Sequence, residues 1–252
     1  MTIDLKGKNI LVTGASRGIG KSIAEKLARA GARVAIHYNK NKEEAEKLAT
    51  QAGNGAAVFQ ANLENKKECR KLFKEVLSAF GHLDVLVNNA GVSLSAPVKA
   101  SDEEWDSIWE KTHRINLDAV GILCREAISH FSERNAGRII TLASRASFRG
   151  DTPEYLAYAS SKAGLVGLSR SIARGYGKQG IKAFLLAPGF VETDMARDFM
   201  NEYGKEYVLS DLALNDLTQP ENISPFVVLL ASGLGDHATG CTIDINAGSY
   251  VH

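Results

Sequence analysis

The segment that decides the fold runs from residue 9 to residue 20 and reads NILVTGASRGIG. Its first part, Asn9–Thr13, is rich in aliphatic residues and predicts a buried strand. Glycines 14, 18 and 20 follow at once, and Ile19–Ala30 then has the periodicity of a helix. Such a turn lets the backbone approach a pyrophosphate at the free N–H groups of the helix start. The segment therefore predicts a dinucleotide-binding strand–helix unit, with an ordinary glycine-rich turn as the alternative.

The alternation of strand and helix continues along the chain. Six further runs predict strands at Arg33–His37, Ala56–Gln60, Leu83–Asn88, Arg138–Ser144, Lys182–Ala187 and Thr242–Ile245. The helical patterns between them cover Lys42–Ala52, Lys66–Phe80, Ser101–Arg134, Tyr155–Lys178 and Pro220–Ala231. Runs such as LDVLVNNA are apolar almost throughout, as strands covered on both faces must be. We therefore expect a doubly wound α/β fold with a parallel sheet between helix layers.

Length and composition narrow the class of protein. The chain has 252 residues, of which 44% are hydrophobic and 23% charged, so it is an ordinary globular chain. Without a linker, repeat or break in composition, we expect one domain over residues 1–252, with the polar stretch 190–218 as a substrate lid. The net charge of +1 gives no general attraction to nucleic acid or to anionic lipid.

The cysteines and the N-terminus bear on the compartment. Cys69, Cys124 and Cys241 lie far apart and form no CxxC pair. We therefore expect a reducing environment, without a disulfide framework or a metal site. The N-terminal residues carry charges where a signal peptide needs an apolar core, and no apolar run is long enough to span a membrane. A soluble, cytoplasmic protein without nucleic-acid or membrane partners is the expectation.

Two other chemistries fit parts of the glycine loop. The run Gly14-Ala15-Ser16-Arg17-Gly18 satisfies G-x-S-x-G, the nucleophile elbow of hydrolases. That reaction needs an acid and then a histidine downstream, and none of the six histidines has a suggestive setting. Gly20-Lys21-Ser22 resembles the end of a phosphate loop, but the first glycine of that motif would fall at Ala15. Both alternatives are therefore disfavoured.

The end of the second strand bears on which dinucleotide binds. An Asp or Glu there would accept a hydrogen bond from the ribose 2′-hydroxyl of NAD. The sequence reads His37-Tyr38-Asn39-Lys40, with Tyr38 in the place of that acid. Arg17, Asn39 and Lys40 offer cations and amide donors, with no carboxylate to repel a 2′-phosphate. The sequence favours NADP(H) over NAD(H), and a solvated turn is the alternative.

Tyr158 and Lys162 share one face of a predicted helix. An ammonium about 4 Å from a phenolate gains roughly 4 kcal/mol at an effective dielectric constant of about 20. That energy could bring the tyrosine pKa from about 10 toward 7, the range that general acid–base catalysis needs. Polar residues also end three predicted strands, at Asn88–Gly91, Ser144 and Pro188-Gly189, on the side where open α/β sheets bind ligands. Their convergence predicts an active site.

These motifs together resemble the short-chain dehydrogenase/reductase family over nearly the whole chain. The shared motifs are TGxxxGxG at Thr13–Gly20, NNAG at Asn88–Gly91, Tyr158-x-x-x-Lys162 and the turn at Pro188. The resemblance implies one Rossmann-type domain with seven parallel strands, and NAD(P)-dependent hydride transfer between nicotinamide and a carbonyl or alcohol. The runs TGASRGIG, DEEW, APGFVETDM and TGCTIDINAG are most similar to 3-oxoacyl-[acyl-carrier-protein] reductases.

The resemblance also implies a role for each site residue. Tyr158 would protonate the carbonyl oxygen, and Lys162 would lower its pKa and bind the nicotinamide ribose. Ser144 would hydrogen-bond the substrate oxygen, and Asn116 would hold a proton-relaying water. Asn62 and Leu63 would flank the adenine. The cofactor-binding residues are Gly14, Ser16, Arg17, Gly18, Ile19, Gly20, Asn39, Lys40, Asn62, Leu63, Asn89, Ala90, Gly91, Tyr158, Lys162, Pro188, Gly189, Val191 and Thr193, of which Val191 and Thr193 would hold the carboxamide.

Some stretches depart from the family pattern. Trp105–Asn116 is about one helical turn longer than expected. Arg145 and Arg149 follow closely after Ser144, and few basic residues are placed to dock an acidic carrier protein. The substrate therefore stays open between a 3-oxoacyl thioester, another small carbonyl compound, and a sugar or polyol. A nucleotide-sensing regulator without turnover is the non-enzymatic alternative. The resemblance further implies a homotetramer, packed through helices near 116–134 and 155–178 and the last strand.

Overall fold

A seven-stranded parallel sheet forms the centre of the computed structural model, which describes residues 2–193 and 204–251. Its strands are β1 (Asn9–Val12), β2 (Arg33–Tyr38), β3 (Ala57–Gln60), β4 (Val85–Asn88), β5 (Gly137–Leu142), β6 (Ile181–Pro188) and β7 (Thr242–Ile245). Their order across the sheet is β3-β2-β1-β4-β5-β6-β7, and every pair is parallel. The predicted Rossmann-type, doubly wound fold is confirmed.

Helices cover both faces of the sheet. Those within the described residues are α1 (Gly18–Arg29), α2 (Lys42–Ala52), α3 (Lys66–Phe80), α4 (Asp102–His113), α5 (Ala119–Arg134), α6 (Ala146–Arg149), α7 (Leu156–Tyr176), α8 (Lys205–Ser210) and α9 (Pro220–Ser232). Helices α1, α2 and α9 pack in one apolar core, and α3, α5 and α7 pack in the other. Alternate strand residues enter opposite cores: Ile10 and Val12 face the first, and Leu11 faces the second. This two-sided burial explains the continuously apolar strands.

The chain reverses its direction across the sheet between β1 and β4. From β1 it proceeds to β2 and β3 on one side, and from β4 to β7 on the other, while Val12 stays paired with Val87. A crevice opens at the carboxyl ends of strands at such a switch point, and ligands bind there in open α/β sheets. Both the glycine loop after β1 and Asn89–Gly91 after β4 border this crevice.

The helix predicted over Ser101–Arg134 is interrupted. A π-helical turn at Arg114–Asp118 separates α4 from α5, and it contains the fully buried Asn116. The Asn116 carboxamide accepts a hydrogen bond from the Val92 N–H at 2.8 Å and donates one to the Val92 carbonyl at 2.9 Å. Such wide turns occur frequently at functional sites. The hydrogen bonds between Asn116 and Val92 join distant parts of the chain. The helical periodicity of the sequence therefore does not reveal the π-helical turn.

Part of the predicted lid at 190–218 lies outside the described residues, namely 194–203. Before residue 194, Val191 forms an isolated parallel bridge with Thr218. After residue 203, α8 is followed by a turn in which the Ala213 N–H donates to the Ala247 carbonyl at 2.8 Å. Among the described residues, no helix is both long and apolar enough to span a lipid bilayer.

Candidate active site

Hydrogen bonds join the glycine loop to the loop after β4. The Thr13 hydroxyl accepts from the backbone N–H groups of Asn89 and Ala90, at 3.0 and 3.1 Å. The Asn89 side-chain amide donates to the carbonyls of Thr13 and Gly14, at 2.9 and 3.0 Å. Thr13 was not among the predicted cofactor residues, although it opens the motif. These bonds hold the two crevice-forming loops at a fixed separation.

Two glycines of the loop are required by close contacts. Gly14 has φ +63°, and a Cβ there would lie 2.9 Å from the Ala90 Cα. A Cβ at Gly20 would overlap the Gly14 carbonyl and the Asn89 amide. Gly18 begins α1 and also has a positive φ of +53°. The first turn of α1 contains no carboxylate, and its N–H groups and the positive end of the helix dipole favour an anion.

His37 accepts a hydrogen bond from the glycine loop, a role that the sequence analysis missed. Its side chain is buried in β2, and Nδ1 accepts the Gly14 N–H at 2.9 Å. Nε2 lies 3.1 Å from the Ala61 carbonyl, so this bonding pattern assigns the proton to Nε2. The ring therefore connects the glycine loop to the end of β3. A histidine inside a buried strand needs polar partners, and that need is the signal that could have identified it.

Acid should destabilise the fold through His37. Burial lowers the pKa of His37 from 6.5 to about 4. As the pH falls, the unfolded chain therefore binds this proton before the folded chain does, and stability is lost between the two values. From about pH 7 to about pH 5, we expect His37 to contribute a loss of about 2 kcal/mol in the free energy of unfolding. Urea unfolding at these two pH values should show that the free energy of unfolding falls by about 2 kcal/mol less in His37→Asn than in wild type. Equal pH dependence in the two proteins would refute the lowered pKa of His37.

The residues around the predicted adenine side differ in their exposure. Tyr38 is buried in the apolar core, whereas Asn39 and Lys40, which follow β2, are exposed. Past β3, the Asn62 side chain accepts from the Glu64 N–H at 3.1 Å, and Leu63 is buried. The predicted adenine-side residues thus lie after β2 and β3, which are adjacent strands.

A pocket with about 940 Å³ of empty space, partly open to solvent, lies at the carboxyl ends of β4, β5 and β6. The predicted site residues that line it are Ile19, Asn89, Gly91, Ser144, Tyr158, Lys162, Pro188, Gly189, Val191 and Thr193. Six segments thus meet here: the start of α1, the ends of β4, β5 and β6, α7 and the beginning of the lid region. The remaining predicted cofactor residues lie in the glycine loop, after β2 and β3, or, in the case of Ala90, in the loop after β4.

Tyr158 hydrogen-bonds to Ser144 within this pocket. Ser144 follows β5, and its Oγ also accepts the Ala146 N–H at 3.1 Å, at the start of α6. Burial raises the pKa of Tyr158 to about 12, although the hydrogen bond to Ser144 lowers it. The pair places two hydroxyl groups together at the strand ends, where both can contact one substrate oxygen.

Lys162 lies one turn after Tyr158, as predicted, but it does not lower the tyrosine pKa in this arrangement. Its Nζ donates to the Leu142 carbonyl at 2.8 Å and lies 5.8 Å from the centroid of the Tyr158 ring. Burial lowers the pKa of Lys162 to about 8. The expected shift of Tyr158 toward 7 is therefore wrong here, because the sequence argument assumed a 4 Å contact and left out the cost of burial.

Asn116 joins the same group of residues. Its Nδ2 donates to Ser161 Oγ at 3.1 Å, and Ser161 donates to the Tyr158 carbonyl at 2.7 Å. A Cβ on Gly91 would lie 3.2 Å from Asn116 Oδ1 and 3.5 Å from Lys162 Nζ. Residues from the loop after β4, the π-helical turn and α7 therefore meet within a few ångströms, as the sequence predicted.

Comparison with known proteins identifies the family. The family model described as short chain dehydrogenase matches residues 8–204. The chain is 38% identical to 3-oxoacyl-[acyl-carrier-protein] reductase FabG of Staphylococcus aureus over 248 residues, covering 97% of this chain and 98% of the relative. A dehydrogenase/reductase from Sinorhizobium meliloti 1021 superposes with a TM-score of 0.87 at 32% identity, covering 99% of this chain and 98% of that one.

A second solved structure is similar along the same length. It is a short chain dehydrogenase from Burkholderia cenocepacia J2315 in complex with NADP, with a TM-score of 0.88 and 30% identity. The superposition covers 97% of this chain and 98% of that chain. The chain belongs to the short-chain dehydrogenase/reductase family and is an NAD(P)-dependent oxidoreductase.

Proposed function

We propose that this protein is an NADPH-dependent carbonyl reductase in which Tyr158 is the acid/base. The observation that carries the proposal is the hydrogen-bonded Ser144–Tyr158 pair, in a pocket that Lys162 and the glycine-loop crevice also border. The whole chain, in this proposal, is one domain with a lid at about 190–218. The similarity to a 3-oxoacyl-[acyl-carrier-protein] reductase makes a short 3-oxoacyl thioester the first substrate to test.

The residues of the crevice suit a dinucleotide. The glycine loop and the start of α1 carry no carboxylate and suit phosphates, because backbone N–H groups there favour anions. When bound, the nicotinamide supplies a hydride to the carbonyl carbon while the oxygen takes a proton, giving an alcohol and NADP⁺. We assign the nicotinamide ribose to Lys162 and the carboxamide to Val191 and Thr193.

Ser144 and Tyr158 act on the carbonyl oxygen. Both hydroxyls hydrogen-bond this oxygen, which fixes its position and stabilises the charge that develops there. Tyr158 donates the proton in reduction and accepts it in alcohol oxidation. Lys162, whose pKa of about 8 lies near neutrality, binds the nicotinamide ribose, and Asn116 holds the water through which the proton is replaced. We also propose that the protein is a homotetramer, in which the subunits pack through the helices near 116–134 and 155–178.

The preference for NADPH can be tested at Asn39. This residue is exposed and follows β2, so Asn39→Asp adds a carboxylate near the predicted 2′-phosphate without disturbing the core. We expect the ratio of kcat/KM for NADPH to that for NADH to fall by about tenfold or more, since like charges are placed together. The assay is nicotinamide oxidation with a short 3-oxoacyl thioester.

Gln51→Glu is the matched control for Asn39→Asp. It makes the same change of charge at an exposed position near the other end of α2. We expect its cofactor ratio to stay within about twofold of wild type, because exposed charges beyond a Debye length are screened. An unchanged ratio in Asn39→Asp, or an equal fall in both variants, would refute the assignment of the 2′-phosphate to this turn.

A further inference from the structure

The residue after Ser144 is an arginine held in the wall of the pocket. Arg145 is 8% exposed, and its backbone N–H donates to Pro188 O at 2.9 Å. Its guanidinium carbon lies 4.3 Å from the centroid of the Phe190 ring, which also lines the pocket. Nη1 donates to Asp211, the residue after α8. These contacts, with the segment 188–190 and with Asp211, hold Arg145 in the wall of the pocket that Ser144 and Tyr158 also line.

Within the part of the chain that the structure describes, most of the guanidinium donors of Arg145 have no protein acceptor. A guanidinium has five N–H donors, and within residues 2–193 and 204–251 the one acceptor recorded for Arg145 is Asp211. The same Asp211 oxygen also accepts from Arg149 Nη1 at 2.8 Å, so two guanidiniums share one carboxylate oxygen. Burial lowers the pKa of Arg145, which marks its guanidinium as poorly solvated. A buried guanidinium with free donors matches the bidentate geometry of a carboxylate.

Asp151 is a carboxylate residue that lines the pocket together with Arg145. Its Oδ1 accepts the Thr152 N–H at 2.9 Å, and its charge raises the pKa of Tyr158. Together, Arg145, Arg149, Asp151 and Asp211 carry no net charge. Recognition of an anion here would therefore depend on the placement of the Arg145 donors, and Asp151 would exclude the anion from its own side of the pocket.

We propose that Arg145 binds a carboxylate of the substrate, and that the protein therefore reduces a short oxo acid. The inference rests on the proposed function, because it takes Ser144 and Tyr158 as the partners of the reacting carbonyl. Since Ser144 and Arg145 line the same pocket, the carboxylate and the carbonyl belong to the same small molecule. A neutral thioester would leave the guanidinium donors unpaired.

The test compares two substrates that share one ketone. Acetoacetate carries a carboxylate and ethyl acetoacetate does not. Arg145→Met, which keeps an apolar stem, should lower kcat/KM for acetoacetate by about 10- to 100-fold. The ester should change by less than about threefold. The matched control is Arg149→Met, which removes the other guanidinium that contacts Asp211. In this variant kcat/KM for both substrates should stay within about threefold of wild type.

A binding measurement separates this inference from the proposed function. Calorimetric titration of acetoacetate into the protein saturated with NADP⁺ needs no turnover, since both ligands are oxidised. If binding depends on Arg145 but neither substrate is reduced with NADPH, the anion site stands and the reductase proposal fails. If the ester is reduced and Arg145→Met lowers kcat/KM equally for both substrates, or for neither, the reductase proposal stands and the anion site is refuted.

Discussion

Replacing Tyr158 by phenylalanine should lower kcat for carbonyl reduction by about 10²- to 10⁴-fold. The change removes only the hydroxyl that hydrogen-bonds Ser144, at the centre of the pocket. The ring and its packing remain, so the Kd for NADPH should stay within about threefold of wild type. Steady-state kinetics measure the first quantity, and fluorescence titration with NADPH measures the second.

Tyr176→Phe is the control for the loss of a hydroxyl. Tyr176 is the last residue of α7, the helix on which Tyr158 also lies, and it does not line the pocket. Its kcat should remain within about twofold of wild type. A kcat in Tyr158→Phe within tenfold of wild type would show that another group transfers the proton. A large increase in the Kd for NADPH would instead indicate that the ring has moved.

Alanine at Gly20 should abolish tight cofactor binding. The added Cβ would overlap backbone at Gly14 and the Asn89 amide that ties the two loops together. The loop must shift to relieve the overlap, and overpacking of this kind costs about 1–3 kcal/mol. We expect the Kd for NADPH to rise by more than about tenfold, with the free energy of unfolding lowered by a similar energy. Fluorescence titration and urea unfolding of the same preparation measure both effects.

Gly175→Ala provides the contrast. Gly175 lies exposed near the end of α7, and a Cβ there would meet nothing within 4 Å. The substitution should stabilise the protein by about 0.4–1 kcal/mol, because alanine loses less backbone entropy in a helix. Cofactor binding should not change. If Gly20→Ala binds NADPH as tightly as Gly175→Ala does, the close packing of the glycine loop is not what positions the cofactor.

The strands and the outline of the site were predictable because their causes are local. Two-sided burial makes a parallel strand continuously apolar, so β4 and β6 could be located from composition alone. The polar residues at their ends, such as Asn89 and Gly189, then fall at one edge of the sheet by topology. Neither inference needs a distance between side chains.

What could not be predicted depends on contacts between distant residues. The π-helical turn around Asn116 accompanies its hydrogen bonds with Val92, 24 positions earlier in the chain. The shared use of Asp211 by Arg145 and Arg149 spans more than 60 positions. The tyrosine pKa was mispredicted for a related reason, because burial depends on the whole fold and not on the spacing within one helix.

Deuterium transfer tests the central claim most directly. NADPH deuterated at the transferable position of the nicotinamide is incubated with the protein and a ketone substrate, acetoacetate or an acetoacetyl thioester, and the alcohol is analysed by mass spectrometry. A carbonyl reductase of this design must deliver a single deuterium to the carbinol carbon in wild type, with almost none formed by Tyr158→Phe in the same time. An alcohol without deuterium, or equal yields from the two proteins, would contradict it.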